Sequence, residues 1–192
     1  VANKPTIGIL ALQGAFIEHT KMLHRLGVDS FEIRQKKDLL LPMDGIILPG
    51  GESTTMFKLL NDLDMTTTIK ELIQNGLPTF GTCAGMLLLA KTVDNYHSDF
   101  LGTMNIAVKK NAYGRQLGSF RTTGTFASTQ NVPFVFIRAP HVTEYGDTVE
   151  VLSIVNDKIV AVREHNQLAT AFHPELTTDT SIHQYFIDMC QQ

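Results

Sequence analysis

Short apolar runs rich in β-branched residues alternate with helical patterns through roughly residue 95, and this rhythm constrains the fold more than any other feature of the sequence. Residues 6–12 (TIGILAL) read as a buried strand that ends before Gly14. Phe16, Met22, Leu23 and Leu26 then recur at helical spacing, and Gly27 supplies a stop signal. Further strands are expected over 28–33, 44–48 and 78–82, with helical segments after Ser53 to about Gln74 and a helix over 84–91. Alternation of this kind predicts βαβ units, and therefore a parallel sheet covered by helices. From Asn105 to Phe172 the rhythm changes to short β-type segments, among them 134–137, 149–155, 159–162 and 169–172, broken by turn signals such as Tyr145-Gly146-Asp147 and Asn156-Asp157. A helix over 182–189 closes the chain. The expectation is one α/β domain over 1–192: a three-layer sandwich whose mostly parallel central sheet is flanked by helices, with additional antiparallel strands in the second half.

Composition narrows the function classes. With 192 residues of which 43% are hydrophobic, the chain can bury a core without disulfide or metal staples. The net charge of −3 and the isolated pairs Lys36-Lys37 and Lys109-Lys110 leave no footprint for nucleic acid. No apolar run approaches the roughly 18–20 residues that span a bilayer, and the first residues lack the charged-then-apolar build of a secretory signal. Two cysteines, Cys83 and Cys190, make no disulfide framework, so a reducing cytoplasm is the expected compartment.

Cys83 lies in Gly81-Thr82-Cys83-Ala84-Gly85, a G-x-C-x-G pattern between an expected strand and an expected helix. This is the layout of a nucleophile elbow, in which flanking glycines make room for a sharp turn. A helix N-terminus favours the thiolate, and the N–H of Ala84, next in sequence, can donate to an oxyanion. The bland alternative is a buried cysteine acting as a small hydrophobe.

A thiolate needs a partner imidazole, and there are seven histidines. His19, His24 and His183 fall in helical patterns, His97 in a polar loop, His165 in a turn, and His141 near a strand start. His173 follows the apolar run 169–172 and precedes Pro174-Glu175. A strand end places it at the rim of the sheet, where open α/β folds bind ligands. Pro174 stiffens the turn so that Glu175 can hold one imidazole nitrogen while the other faces the thiol. Read without a partner, His173 is equally a strand-end histidine capping a turn. A second glycine turn, Pro49-Gly50-Gly51-Glu52-Ser53-Thr54-Thr55, follows the third strand. It suits a backbone nest for an anion, or an ordinary βα turn with Ser53 or Thr54 as helix N-cap. The sequence has no H-E-x-x-H, C-x-x-C or Walker ending, and neither a metal nor a cofactor is expected.

Together these residues resemble the class I (triad-type) glutamine amidotransferases, and among them the glutaminase subunits of pyridoxal 5′-phosphate synthase. The resemblance spans essentially the whole chain. It rests on Leu10-Ala11-Leu12-Gln13-Gly14, on residues 48–55, on the elbow, and on Phe172-His173-Pro174-Glu175-Leu176. Two further segments carry it, Asn111-Ala112-Tyr113-Gly114-Arg115-Gln116 and Phe136-Ile137-Arg138-Ala139-Pro140-His141. The elbow and the His-Pro-Glu turn are shared by the wider class and indicate its chemistry; the Gly51-Glu52-Ser53 turn, Gly114-Arg115-Gln116 and Ile137-Arg138-Ala139-Pro140 indicate the subunit type. The resemblance implies that Cys83 attacks the side-chain amide of L-glutamine while His173 and Glu175 handle protons. It further implies that Gly51 and Ala84 donate to the oxyanion, and that Gly51, Glu52, Ser53, Ile137 and Arg138 line the glutamine site. Lys110 stands where the family often has an arginine that contacts glutamine; lysine keeps the charge and loses the planar fork. The implied partner is a (β/α)8-barrel synthase subunit that receives the ammonia, with Gln13 placed where docking occurs and expected to couple docking to oxyanion-hole formation. Other readings are a glutaminase serving a different synthase, a thiol sensor on a related sandwich, and a cysteine hydrolase of the α/β-hydrolase type. In the last of these the acid normally precedes the histidine by a wide gap.

Overall fold

The structure is a computed structural model that describes residues 3–110 and 119–192. Its first half builds β1 (Thr6–Leu10), α1 (Phe16–Arg25), β2 (Asp29–Ile33), β3 (Gly45–Leu48), α2 (Ser53–Asp62), α3 (Thr66–Gln74), β4 (Thr79–Thr82) and α4 (Ala84–Leu89). The second half adds the strands β5 (Ala90–Val93), β6 (Tyr96–His97), β7 (Met104–Lys109), β8 (Ser119–Phe126) and β9 (Thr129–Ile137). They are followed by β10 (His141–Tyr145), β11 (Val149–Val155), β12 (Lys158–Glu164), β13 (Gln167–Thr170) and the closing helix α5 (Ser181–Cys190).

The main sheet runs β2-β1-β3-β4-β13-β12-β10-β7-β5-β6, with β11 paired to β12; β8 and β9 form a separate antiparallel hairpin. The first five strands of that order are mutually parallel. Beyond β13 the pairings are antiparallel except between β5 and β7. The α/β expectation, a parallel centre with antiparallel additions, therefore describes the molecule. Ile7, Ile9, Ile46, Ile47, Leu48 and Phe80 are fully buried, as expected for parallel strands covered on both faces.

Because β2 lies on one side of β1 and β3 on the other, right-handed crossovers send α1 to one face and α2 and α3 to the opposite face. α4 packs against α2, and α5 joins α1, where the rings of His183 and His19 meet. The reversal between β1 and β3 is a topological switch point, and ligands bind such sheets in the crevice beyond the carboxyl ends there. The loops after β1, β3, β4 and β13 all open at that end.

Local sequence explains the helix boundaries. α1 buries Met22 and Leu23 and ends in paired N–H···O bonds from Gly27 to His24 and from Val28 to Leu23, both 3.0 Å. Several boundaries differ from the sequence reading. The first strand stops at Leu10, and the helix expected over 84–91 ends at Leu89, where Ala90 turns extended (φ −67°, ψ 138°) and starts β5. The strand expected over 169–172 is β13, shifted to Gln167–Thr170, so three residues separate it from Pro174. Most residues of these runs are apolar and buried whichever way they fold, so hydropathy alone does not mark their ends. The segment 111–116 lies outside the described residues.

The elbow is the tightest junction. A Cβ on Gly85 would lie 2.2 Å from the carbonyl oxygen of Leu48, and one on Gly81 would meet the Gly85 carbonyl at 2.7 Å. Backbone atoms cannot yield as a side-chain end can, so overpacking here falls on the sheet itself. Gly85→Ala is expected to lower unfolding free energy by about 2–3 kcal/mol in urea denaturation. A loss below about 0.5 kcal/mol, the scale of a neutral surface change, would contradict this packing.

Candidate active site

Cys83 sits between β4 and α4 with φ 51° and ψ −101°, a conformation that L-residues other than glycine rarely hold. Its N–H donates to the Thr170 carbonyl (2.8 Å) at the end of β13, which ties the elbow to the neighbouring strand. The Sγ lies 3.9 Å from the carbonyl oxygen of Ile137 at the end of β9. The side chain is buried except for the face it turns to a cavity of about 500 Å³.

His173 and Glu175 arrive from the turn that follows β13. The N–H of His173 donates to the Val135 carbonyl (2.8 Å), and Phe172 stacks on Phe134 with ring centroids 4.1 Å apart. Pro174 opens a short 3₁₀ turn over Pro174–Leu176. Within it Glu175 Oε1 lies 2.5 Å from His173 Nδ1, leaving the other ring nitrogen for the thiol. Cys83 and His173 both stand against Gly50, whose added Cβ would lie 3.4 Å from Cys83 Cβ and 3.0 Å from His173 Nδ1. Burial works against a charged imidazole, but the hydrogen bonds and charges of Cys83 and Glu175 outweigh it and raise the pKa of His173 to about 10.

The glycine turn after β3 does two jobs that its sequence did not separate. A Cβ on Gly50 would lie 2.3 Å from His173 Cε1, so glycine there makes room for the imidazole. A Cβ on Gly51 would lie 2.2 Å from Gln13 Oε1, the oxygen that also accepts the N–H of Glu52 at 2.8 Å. Gln13, in the loop after β1, is thereby fixed to the turn. The N-cap of α2 is Glu52 rather than Ser53 or Thr54: its carboxylate accepts the N–H groups of Thr54 (3.2 Å) and Thr55 (2.6 Å). Hydrogen bonds from Thr54 and Thr55 lower the Glu52 pKa to about 2.

The cavity brings together most of the residues singled out from sequence. Gly51, Glu52, Ser53, Ala84, Lys110, Ile137 and Arg138 line it beside Cys83 and His173. Glu175 stands behind His173, and Gln13 behind the glycine turn. Lys110 and Arg138 are the basic residues among the described lining, and Glu52 the acidic one. No group of three or more His, Cys, Asp or Glu side chains among the described residues could hold a metal ion.

Two residues at this site were not singled out from sequence. His19 on α1 and His183 on α5 are completely buried behind Glu175, and their rings are joined by a 2.8 Å N···N contact. The available signal was placement: His19 falls on the buried stripe of α1 with Met22 and Leu23, and His183 on that of α5 with Phe186 and Ile187.

The raised pKa of His173 has a definite sign. A folded value above the free value of 6.5 stabilises the fold fully below pH 6.5, and the contribution is lost as pH rises toward 10. The His173 ring, followed by NMR, is expected to stay protonated through neutral pH. Glu175→Gln, which removes the carboxylate charge, is expected to lower the midpoint by about 1–2 units. An unchanged midpoint in Glu175→Gln would show that Glu175 does not hold the ring.

Comparison with known proteins agrees with this geometry. The SNO glutamine amidotransferase family model matches residues 9–192. A protein described as "Pyridoxal 5'-phosphate synthase subunit PdxT" from Streptococcus pneumoniae is 53% identical over 189 residues, covering 97% of this chain and 98% of its own. One of the same description from Methanocorpusculum labreanum is 56% identical over 183 residues, covering 95% and 96%. A crystal structure described as a glutamine amidotransferase superposes with a TM-score of 0.91 at 40% identity, covering 97% of this chain and 99% of that one. A putative GMP synthase subunit from Thermoplasma acidophilum shares the fold at a TM-score of 0.72 with 18% identity, covering 100% of this chain and 96% of its own. A family model spanning nearly the whole length, and relatives more than half identical over it, establish that this chain belongs to the SNO glutamine amidotransferase family.

Proposed function

We propose that this chain is the glutaminase subunit of a pyridoxal 5′-phosphate synthase, hydrolysing L-glutamine and passing the ammonia to a (β/α)8-barrel synthase subunit. The observation that carries the reading is the strained Cys83 elbow beside the His173–Glu175 pair at the wall of a cavity large enough for an amino acid. The subunit type follows from the PdxT relatives.

In the proposed reaction the Cys83 sulfur attacks the side-chain carbonyl carbon of glutamine, and the electron pair moves onto the oxygen. The N–H groups of Gly51 and Ala84 stabilise that oxyanion. Collapse breaks the C–N bond, His173 gives its proton to the departing nitrogen, and ammonia leaves behind a γ-glutamyl thioester. His173, now neutral, takes a proton from water as the water attacks the thioester. The C–S bond then breaks, the electron pair returns to sulfur, glutamate departs with its carboxyl proton lost to solvent, and the imidazolium–sulfur pair is restored. Glu175 keeps the ring oriented throughout, with its charge facing Nδ1.

The amino-acid end of glutamine is held farther out in the cavity. Lys110 and Arg138 supply positive charge for the α-carboxylate, and the Ile137 carbonyl oxygen stands 3.9 Å from the thiol. The carboxylate of Glu52 is already committed to the N-terminus of α2, so its part in the site is to shape the turn that presents Gly51 and Ser53. Gln13 bonds that same turn from the loop after β1. A partner pressing on this loop would therefore act on the backbone that forms the oxyanion hole. The cysteines are both free, in keeping with work in the cytoplasm, and no helix among the described residues is long and apolar enough to cross a membrane.

The test is glutamate release from glutamine with and without the barrel subunit. Turnover is expected to rise with the partner. Cys83→Ala is expected to lower it by more than about 10³-fold, and Gln13→Ala to lose the stimulation while the site stays formed. Turnover indifferent to the partner would contradict the synthase assignment, and partner-stimulated turnover in Cys83→Ala would contradict the nucleophile. Normal stimulation in Gln13→Ala would remove Gln13 from the coupling.

A further inference from the structure

We propose that His19, held in one neutral tautomer by His183, is a positioning residue that fixes the Glu175 carboxylate and, through it, the His173 ring. Glu175 Oε1 is taken by His173, while Oε2 is buried without a hydrogen-bond partner among the described residues. An isolated buried carboxylate oxygen is costly, so whatever faces it matters. What faces it is Nε2 of His19 at 3.7 Å, and the same nitrogen lies 3.3 Å from Thr82 Oγ1. On its other side, His19 Nδ1 lies 2.8 Å from His183 Nε2. Both rings are wholly buried, with Phe80 edge-on to each at 6.1 Å and 5.6 Å.

Burial holds both rings in the neutral form, with the neighbouring His183 adding to the effect on His19. The contact with Glu175 is therefore not an ion pair, and each ring carries a single N–H. Two arrangements satisfy the His19–His183 bond. In the first, His183 Nε2–H donates to a bare His19 Nδ1, and the His19 proton sits on Nε2, facing Thr82 and Glu175. In the second, His19 Nδ1–H donates to His183, and a lone pair on Nε2 faces the carboxylate.

The second arrangement also forces the His183 proton onto Nδ1, which is buried and has no partner among the described residues. It thus combines lone-pair repulsion at Glu175 with an orphaned N–H, the rarer and costlier of buried defects. The first leaves only an unfilled acceptor on His183. The pair therefore acts as a chain from α5 through α1 that presents an N–H dipole to Glu175 Oε2. At 3.7 Å the approach is longer than a hydrogen bond, so the N–H acts on Glu175 as an oriented dipole.

A carboxylate anchored at Oε2 keeps Oε1 on His173 Nδ1. Released, it rotates, and the ring loses part of the interaction that favours its protonated form. The titratable groups gathered here are Cys83 from the elbow, His173 and Glu175 from the turn, His19 from α1 and His183 from α5. Glu52, Lys110 and Arg138 line the cavity beyond. The kinetic consequence depends on the glutaminase reading above; the ring geometry does not.

The experiment compares His19→Leu, which removes the N–H, with His19→Gln, whose terminal amide can place an N–H near the position of Nε2. In the free chain, the protonation midpoint of His173 measured by NMR is expected to fall by about one unit in His19→Leu and to return toward wild type in His19→Gln. In partner-stimulated glutamine hydrolysis, His19→Leu is expected to lower kcat roughly tenfold with KM nearly unchanged. The alkaline limb of its pH profile moves to lower pH, because the imidazolium needed to protonate the departing amide nitrogen is lost earlier. His183→Leu shifts both in the same direction. A wild-type His173 midpoint in His19→Leu overturns the proposal, as does equal impairment of the Leu and Gln variants, which would mark a packing role alone. If His19→Leu does not fold, His183→Leu against His183→Gln gives the same comparison with the same deciding outcomes. Absence of turnover in the wild-type complex would sink the glutaminase reading, and the NMR midpoints would still decide the role of His19.

Discussion

The site depends on how closely two backbones approach at the elbow. Cys83 holds its left-handed φ because the carbonyl of Leu48 presses against Gly85, Gly81 packs on the same residue, and the Cys83 N–H is fixed to Thr170. A conformation of this kind costs about 1–3 kcal/mol and persists only where the surroundings overdetermine it. Here the surroundings are the parallel strands β3, β4 and β13, which are buried at every position. The strain is therefore carried by the most solid part of the sheet, and it leaves the thiol at the carboxyl ends of the strands. The glycine turn and the His-Pro-Glu turn reach that place from the neighbouring strands, and Gly50 lacks the side chain that would keep the imidazole away.

Burial acts on three histidines of this region with opposite results. His173 lies against a carboxylate and a thiol, and their hydrogen bonds and charges overcome its desolvation. His19 and His183 lie against each other, and desolvation keeps them neutral. The charged imidazole is thus confined to the ring that faces the cavity, while those behind it can offer only dipoles. Such a division suits a site that must move one proton between sulfur, nitrogen and water without losing it into the interior.

Much of the fold and of the chemistry was legible because it is local. Strand-helix alternation announces a parallel sheet, G-x-C-x-G announces a strained turn, and Pro174 between His173 and Glu175 keeps two side chains in reach of each other. What could not be read lies in contacts between distant segments. His19 and His183 are 164 residues apart, and each by itself looks like a position on an amphipathic helix. The role of Gly50 in admitting the His173 ring needs the turn after β13 to be present. Ends of apolar runs, such as the passage from α4 into β5 at Ala90, are set by packing on all sides and leave no mark in hydropathy. The capping of α2 by Glu52 was missed because shorter side chains, Ser53 and Thr54, stand beside it and are the commoner N-caps.

The central claim is that sulfur at position 83 carries a covalent step. Acid quenching of the wild-type chain during partner-stimulated turnover of glutamine, followed by peptide mass spectrometry, tests it directly. The account predicts a γ-glutamyl thioester on the peptide containing Cys83, absent from the Cys190 peptide and more abundant when the partner is present. Turnover with no adduct, caught within the lifetime of a single turnover, or an adduct on Cys190 instead, would contradict it.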